Sequence, residues 1–198
     1  FWFAEAGPLL RPDGKPWEKD RRLKYQATAA QIVETARKLE RAKCHFFATS
    51  GHGIAAYISP QTAAAILQAA PTMCHGFIEA ENEPNKGSEE LAYYLQHHVV
   101  PIMDACRQHG RAIVILREKN AWWAAQAATP ELRRYLFNGQ YRSVLVPAVE
   151  DSNSRSHDLN LAARVGLWLD GQVDRWACRV CADYFSFNRA WEWEYPMT

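Results

Sequence analysis

The chain has 198 residues, enough for one well-buried core, and its 23 Lys+Arg nearly balance its 22 Asp+Glu. That balance supplies neither a basic patch for nucleic acid nor an acidic tail. No apolar run approaches the roughly 20 residues needed to cross a bilayer, and five cysteines, an odd number, argue against a complete disulfide framework.

Short apolar runs alternate with longer segments of helical period along the chain. Phe1 to Glu5 reads as a strand and opens without a signal-peptide pattern, so compartment is left open. After a Pro/Gly-rich loop, Tyr25, Ala29, Ile32, Val33, Ala36 and Leu39 share one helical face. Cys44 to Thr49 is a second strand, followed by the loop Ser50-Gly-His-Gly53, and Ser59-Pro60 supplies an N-cap and a first helical residue. The third strand is Gly76 to Glu81. Its helix begins near Ser88, buries Leu91, Tyr94, Leu95, His98 and Ile102, is kinked by Pro101 and ends at Gly110. Ala112 to Leu116 and Val144 to Val149 are the fourth and fifth strands, with a short helix capped by Thr129-Pro130 between them. The helix Leu159 to Leu169 leads to a sixth strand, Trp176 to Phe187. Cys178 and Cys181 form a C-x-x-C within it, without a second pair at zinc-ribbon spacing, and read as buried thiols.

About six β/α units in succession predict an α/β protein with a parallel sheet covered by helices. An open nucleotide-binding sheet carries a Gly-rich loop after its first strand. Neither G-x-G-x-x-G nor G-x-x-x-x-G-K-[ST] occurs. A (β/α)₈ TIM barrel instead gathers polar residues at the carboxyl ends of its strands. Here Glu5, His52, the series Glu79/Glu81/Glu83, Glu118, Glu150/Asp151 and Asp183 follow successive strands. The expectation is one domain over residues 1–198, a TIM barrel truncated after about six β/α units.

Side chains alternate along a strand, so Phe77, Glu79 and Glu81 share one face while Ile78 and Ala80 share the other. The expectation sets Ile78 and Ala80 against the helices and aims Glu79 and Glu81 into the barrel mouth. Isolated buried carboxylates cost several kcal/mol. The two explanations are a buried network with basic residues such as Arg117 and Lys119, or a general acid beside an ionised neighbour. Glu150 ends the fifth strand and Glu118 the fourth. Two carboxyl groups across a scissile bond are what glycoside hydrolysis requires. Tryptophan is abundant, eight in all. Trp122, Trp123, Trp191 and Trp193 fall in expected loops at the mouth, where flat rings can pack on sugar faces, or else they are core.

Two resemblances follow from these residues. Phe77-Ile-Glu-Ala-Glu-Asn-Glu-Pro84 resembles the Asn-Glu-Pro strand end of clan A glycoside hydrolases, which implies Glu83 as acid/base with Asn82 beside it. Val149 to Ser156, and Val165-Gly-Leu-Trp-Leu-Asp-Gly-Gln-Val-Asp-Arg-Trp176, resemble the catalytic barrel of glycoside hydrolase family 98. That similarity implies an inverting endo-acting glycosidase, an acid on the Glu79/Glu81 strand, a base on a later strand such as Asp174, and a secreted or cell-surface protein.

The expected function is hydrolysis of O-glycosidic bonds in a poly- or oligosaccharide. Glu81, Glu79 or Glu83 protonates the leaving oxygen, and Glu150 or Asp174 serves as base or nucleophile. Trp122, Trp123, Asn153, His52, Glu118 and Trp191 contact the sugar. The expected partner is carbohydrate, with no cofactor, metal, nucleic acid or membrane. Competing readings are a carbohydrate-binding barrel without activity and a metal-dependent barrel hydrolase. The seven histidines provide no H-x-H at a strand end.

Overall fold

In the computed structural model, residues 3–18, 25–82, 88–119, 122–123, 130–150 and 157–179 are described. The main sheet has six strands: β3 (Phe46–His52), β4 (Ala55–Ala56), β5 (Cys74–Ala80), β6 (Ile113–Glu118), β7 (Leu145–Glu150) and β8 (Ala177–Arg179). Their order is β4-β3-β5-β6-β7-β8, with every pair parallel except β3 with β4. All four parallel crossovers therefore run in chain order, as successive β/α units require. The sheet does not close among the described residues.

The first strand departs from expectation. β1 (Ala4–Glu5) pairs in parallel with β2 (Gln26–Ala27) in a separate two-stranded sheet. It reaches the main body through Glu5, whose backbone N–H donates to Tyr57 O at 2.7 Å and whose carboxylate accepts from Ser59 N. β4 was also unexpected. Two residues are too few to show periodicity, and they turn back on β3 immediately after Gly53 and Ile54.

Helix starts follow local chemistry. Thr28 and Gln31 form a reciprocal capping box at the start of α1 (Ala29–Arg41), and Ser59 caps α2 (Pro60–Ala69), which has Pro60 in its first turn. The long third helix is divided into α3 (Ser88–Tyr94), a π turn (Leu95–Val99) and α4 (Val100–His109). Pro101 explains the division. It has no N–H to offer His97 O and its ring crowds that carbonyl, and the widened turn, in which Val100 N–H reaches Leu95 O, absorbs the mismatch. Gly110 ends α4 in the left-handed conformation, φ 81°. α5 (Pro130–Tyr135) and α6 (His157–Leu169) complete the helices.

One core joins sheet and helices, with Phe77, Val114 and Leu116 from the strands meeting Ile66, Leu95, Ile102 and Met103 from the helices. β6 alternates strictly: Val114, Leu116 and Glu118 are buried, while Ile113, Ile115 and Arg117 are only partly covered. The helix-bearing face of the sheet is thus filled. The opposite face, with Phe47, Thr49, Ile78, Ile113 and Ile115, is half-covered.

Candidate active site

The carboxyl ends of β3, β5 and β6 converge. Beyond β5 the chain leaves the extended region at Glu81, φ 53°, and beside it the β3–β4 turn passes through Gly53 at φ 62° and Ile54 at φ 63°. A β-branched residue in the left-handed region is strained. Ile54 is held there by its backbone N–H, which donates to Asn82 Oδ1 at 3.1 Å.

Asn82 is the hub of this edge. Its backbone N–H donates to Glu118 Oε2 at 2.8 Å, its Nδ2 donates to Glu118 Oε1 at 3.1 Å, and its carbonyl accepts from Trp122 Nε1 at 3.3 Å. Asn82 and Glu118 are fully buried. The Asn82 amide is thereby committed to protein partners.

Glu81 faces a different environment. Its Oε1 lies 2.9 Å from Lys119 Nζ and 3.3 Å from His52 Nε2, and its side chain is 22% exposed. The His52 contact, with help from Lys119, outweighs the cost of burial and holds the carboxyl down to about 2. Glu81 is therefore an anion throughout the neutral range. Both neighbours favour its charged form.

The side of the strand expected for Glu79 is corrected. Phe77 and Glu79 turn to the helix-bearing face, and Ile78 to the half-covered one. Glu79 is completely buried, with Tyr94 Oη donating to its Oε2 at 2.8 Å and His98 Nε2 3.2 Å from its Oε1. Burial and the neighbouring Glu79 carboxyl push the Tyr94 phenol well above its ordinary value. Strand alternation separates Phe77 and Glu79 from Ile78 correctly, but the sides expected for them are exchanged, and Glu81, beyond the end of β5 at positive φ, does not follow Glu79. A polar set on the helix, Tyr94 with His98, is what lets a carboxyl group sit under it.

Trp122 and Trp123 are buried and offer no ring face to a sugar. They pack edge-to-face with centroids 4.7 Å apart, and Trp123 Nε1 donates to Ala148 O at 2.7 Å. Glu118, expected to meet substrate, is consumed by Asn82. Asp174 lies at the far end of the sheet, in the segment entering β8, where it pairs with Arg142 and its N–H donates to Arg142 O at 2.9 Å. That is the amino edge of the strands, so Asp174 does not join Glu81. Cys178, expected to be buried, is exposed.

Glu83, Asn153, Trp191, Asp151 and Cys181 lie outside the described residues, as does the side chain of Glu150, whose backbone ends β7. Among the described residues, His52, Glu81 and Lys119 form a partly exposed polar group at the carboxyl edge, beside the buried Asn82–Glu118 pair. Lys119 entered the sequence reading only as a counter-charge. Trp17, which packs on Tyr94 and His98 at centroid distances of 5.4 and 6.2 Å, gave no periodic signal at all. No three His, Cys, Asp or Glu side chains among the described residues converge as a metal site.

A family model described as the lambda-carrageenase middle domain matches residues 15–197. The chain belongs to the lambda-carrageenase middle domain family. Two curated relatives, lambda-carrageenases of Pseudoalteromonas carrageenovora and of a Pseudoalteromonas species, are each 32% identical over 95 residues. The matched stretch is 48% of this chain and 10% of either relative, so the match spans only a small part of those relatives' length. In three dimensions it resembles the catalytic module of a family 98 glycoside hydrolase from Streptococcus pneumoniae TIGR4. The TM-score is 0.61 at 18% identity in the complex with the H-disaccharide blood group antigen, and 0.58 in the native form. Each alignment covers 75% of this chain and 26% of the module. The fold is shared with that module, in line with the sequence resemblance to family 98.

Proposed function

We propose that this domain is one side of a (β/α)₈ barrel that hydrolyses O-glycosidic bonds in a polysaccharide, and that Glu81 is the ionised carboxylate of its site. The observation that carries the reading is Glu81 itself: a carboxylate at the carboxyl edge of a parallel sheet, partly open to solvent and held as an anion by His52 and Lys119. Barrel active sites form at that edge. Glycoside hydrolysis passes through an oxocarbenium-like transition state, which a fixed negative charge stabilises.

Proton donation then falls to a second carboxyl group. Glu79 and Glu118 are sealed from solvent. Glu83, which follows the anchored Asn82, and Glu150, which ends β7, remain as the two candidates for that donor. The half-covered face with Phe47, Ile78, Ile113 and Ile115 supports the barrel reading, because closing strands would pack there. The names of the curated relatives make carrageenan the first substrate to test.

The test is hydrolysis of carrageenans, other galactans and xylans by the full-length parent, beside Glu81→Gln, Glu83→Gln and Glu150→Gln. Loss of cleavage in Glu81→Gln and in one of the other two, with folding intact, is the expected result. Cleavage unaffected by all three substitutions overturns the site. Binding of polysaccharide without cleavage by the parent overturns the enzymatic reading in favour of a carbohydrate-binding barrel.

A further inference from the structure

The geometry points to the buried Glu79–Tyr94–His98 cluster as a positioning device for the His52–Glu81 pair, an inference that rests on the reading of Glu81 as the ionised carboxylate of the site. His52 and Glu81 sit at the ends of two adjacent strands, and nothing in the strand ladder alone fixes where their side chains meet. The register between β3 and β5 in fact slips just before them: Thr49 pairs with Ile78, but Gly51 pairs with Glu79. The cluster lies at that slip.

Its contacts span both strands. Glu79 comes from β5, two residues before Glu81. His98 Nε2 lies 3.2 Å from Ser50 O on β3, two residues before His52, and 3.2 Å from Glu79 Oε1. A carbonyl can only accept, so Nε2 carries the hydrogen. Gly51 passes so close to the Tyr94–Glu79 bond that a Cβ there would stand 1.9 Å from Tyr94 Oη and 2.6 Å from Glu79 Oε2. The backbone of residues 50–51 therefore rests directly on the cluster.

The cluster is also costly on its own account. Among the described residues His98 Nδ1 is buried without a hydrogen-bond partner and Glu79 Oε1 has only the His98 ion contact, and a carboxyl group beside an imidazole at zero exposure is weak evidence for stability as such. Its location accounts for it: Tyr94 and His98 come from the helix following β5, so the helix, β3 and β5 are locked in one register immediately beneath His52 and Glu81. Glu79, Tyr94 and His98 act through the backbone and touch no substrate.

Tyr94→Phe and His98→Gln test this in the full-length protein. Tyr94→Phe alters no charge, so a change at His52 must be transmitted by geometry. The contacts of His52 include Glu81 from the end of β5 and the Tyr57 ring stacked on it at 6.4 Å, with Lys119 from the end of β6 reaching the same Glu81 oxygen. The readout is the rate at which diethyl pyrocarbonate modifies each histidine at one fixed pH, followed by mass spectrometry, which requires no known substrate. We expect His52 to react several-fold faster in Tyr94→Phe as its contact with Glu81 loosens, with His45 and His75, at the opposite end of the strands, unchanged. Where the parent cleaves polysaccharide, kcat falls about tenfold with KM little changed. His98→Gln gives the same direction if Tyr94→Phe fails to fold. A loss of thermal stability with His52 reactivity unchanged in a folded variant overturns the proposal, leaving the cluster purely structural. A changed His52 reactivity where the parent cleaves nothing supports the positioning role while the glycosidase reading fails.

Discussion

Asn82 and Glu118 meet at two points, backbone N–H to Oε2 at 2.8 Å and Nδ2 to Oε1 at 3.1 Å, with neither residue exposed to solvent. The contact joins the ends of β5 and β6. Because Asn82 Oδ1 also receives the Ile54 N–H, it joins β3 as well. Asn82→Ala keeps the backbone N–H on Glu118 Oε2 but removes the Nδ2 donor and takes away the acceptor of the Ile54 N–H, in a place water does not reach. Asn82→Ala is expected to cost about 2–4 kcal/mol in urea denaturation. Asn82→Asp sets two carboxylates against each other and should cost more at pH 7, recovering part of the loss as the pH falls and one of them takes up a proton. Asn82→Asp equal in stability to the parent at neutral pH would refute the clamp.

Glu81 carries a pH signature. Its folded value, about 2, lies below the ordinary 4.5. The stabilisation is therefore fully present above pH 4.5 and disappears as the pH falls through about 2. The interval corresponds to roughly 3 kcal/mol, nearer 2 once partial exposure is allowed for. Between pH 5 and pH 2 the parent should lose about that much more stability than Glu81→Gln, measured by urea midpoints across the range. The same substitution should lower hydrolysis by about 100-fold or more at neutral pH.

Two glycines at close approaches should respond differently to alanine. At Gly51 a Cβ would meet a side-chain hydroxyl, Tyr94 Oη at 1.9 Å, whereas at Gly76 it would meet the backbone oxygen of Ile113 at 1.8 Å. Gly51→Ala should be strongly destabilising and partly rescued by Tyr94→Phe, with non-additive double-mutant energies. Gly76→Ala has no comparable rescue, since Gly76 also sits at φ 125°. Thermal unfolding of the three single variants and the double variant checks both.

Asp174 and Trp123 provide the contrasting cases. Asp174→Asn removes a surface pair with Arg142, and should shift stability by no more than about 1 kcal/mol and leave hydrolysis unchanged. Trp123→Phe leaves Ala148 O without its donor and should cost about 1–2 kcal/mol without weakening polysaccharide binding. Calorimetry and a binding isotherm separate these outcomes. Weakened binding with unchanged stability in Trp123→Phe would restore the ring as a sugar platform.

The order of β/α units was legible because each strand is a short apolar run and each helix has a readable start, as at Ser59-Pro60. The face of the third helix carrying Leu91, Tyr94, Leu95, His98 and Ile102 was legible from spacing, and Tyr94, Leu95, His98 and Ile102 are all completely buried. Which side of β5 faced that helix was not. Period 2 divides a strand into two sets without saying which set meets helices, and the polar residues were assigned to the mouth by default. Tyr94 and His98 held the missing information, since a helix that buries a phenol and an imidazole needs a polar partner on the sheet. Trp122 and Trp123 misled for the opposite reason: a loop position in sequence says nothing about burial when the loop folds back over strand ends. The turn at Gly53, Ile54 and Glu81 was out of reach, because its strain is maintained by Asn82, a long-range contact.

The π turn at Leu95–Val99 amounts to one surplus residue accommodated inside a helix. Deleting a single residue there would close the bulge and leave Ile102, Met103 and Cys106 on the buried face they already occupy, since the widened turn localises the extra residue and does not pass its rotation on. The cost of the deletion would instead fall on Pro101, whose ring would then meet the carbonyl four residues before it in a regular turn. Deletion combined with Pro101→Ala should therefore be better tolerated than deletion alone, and this turn is where related chains can differ in length by one residue without repacking the core.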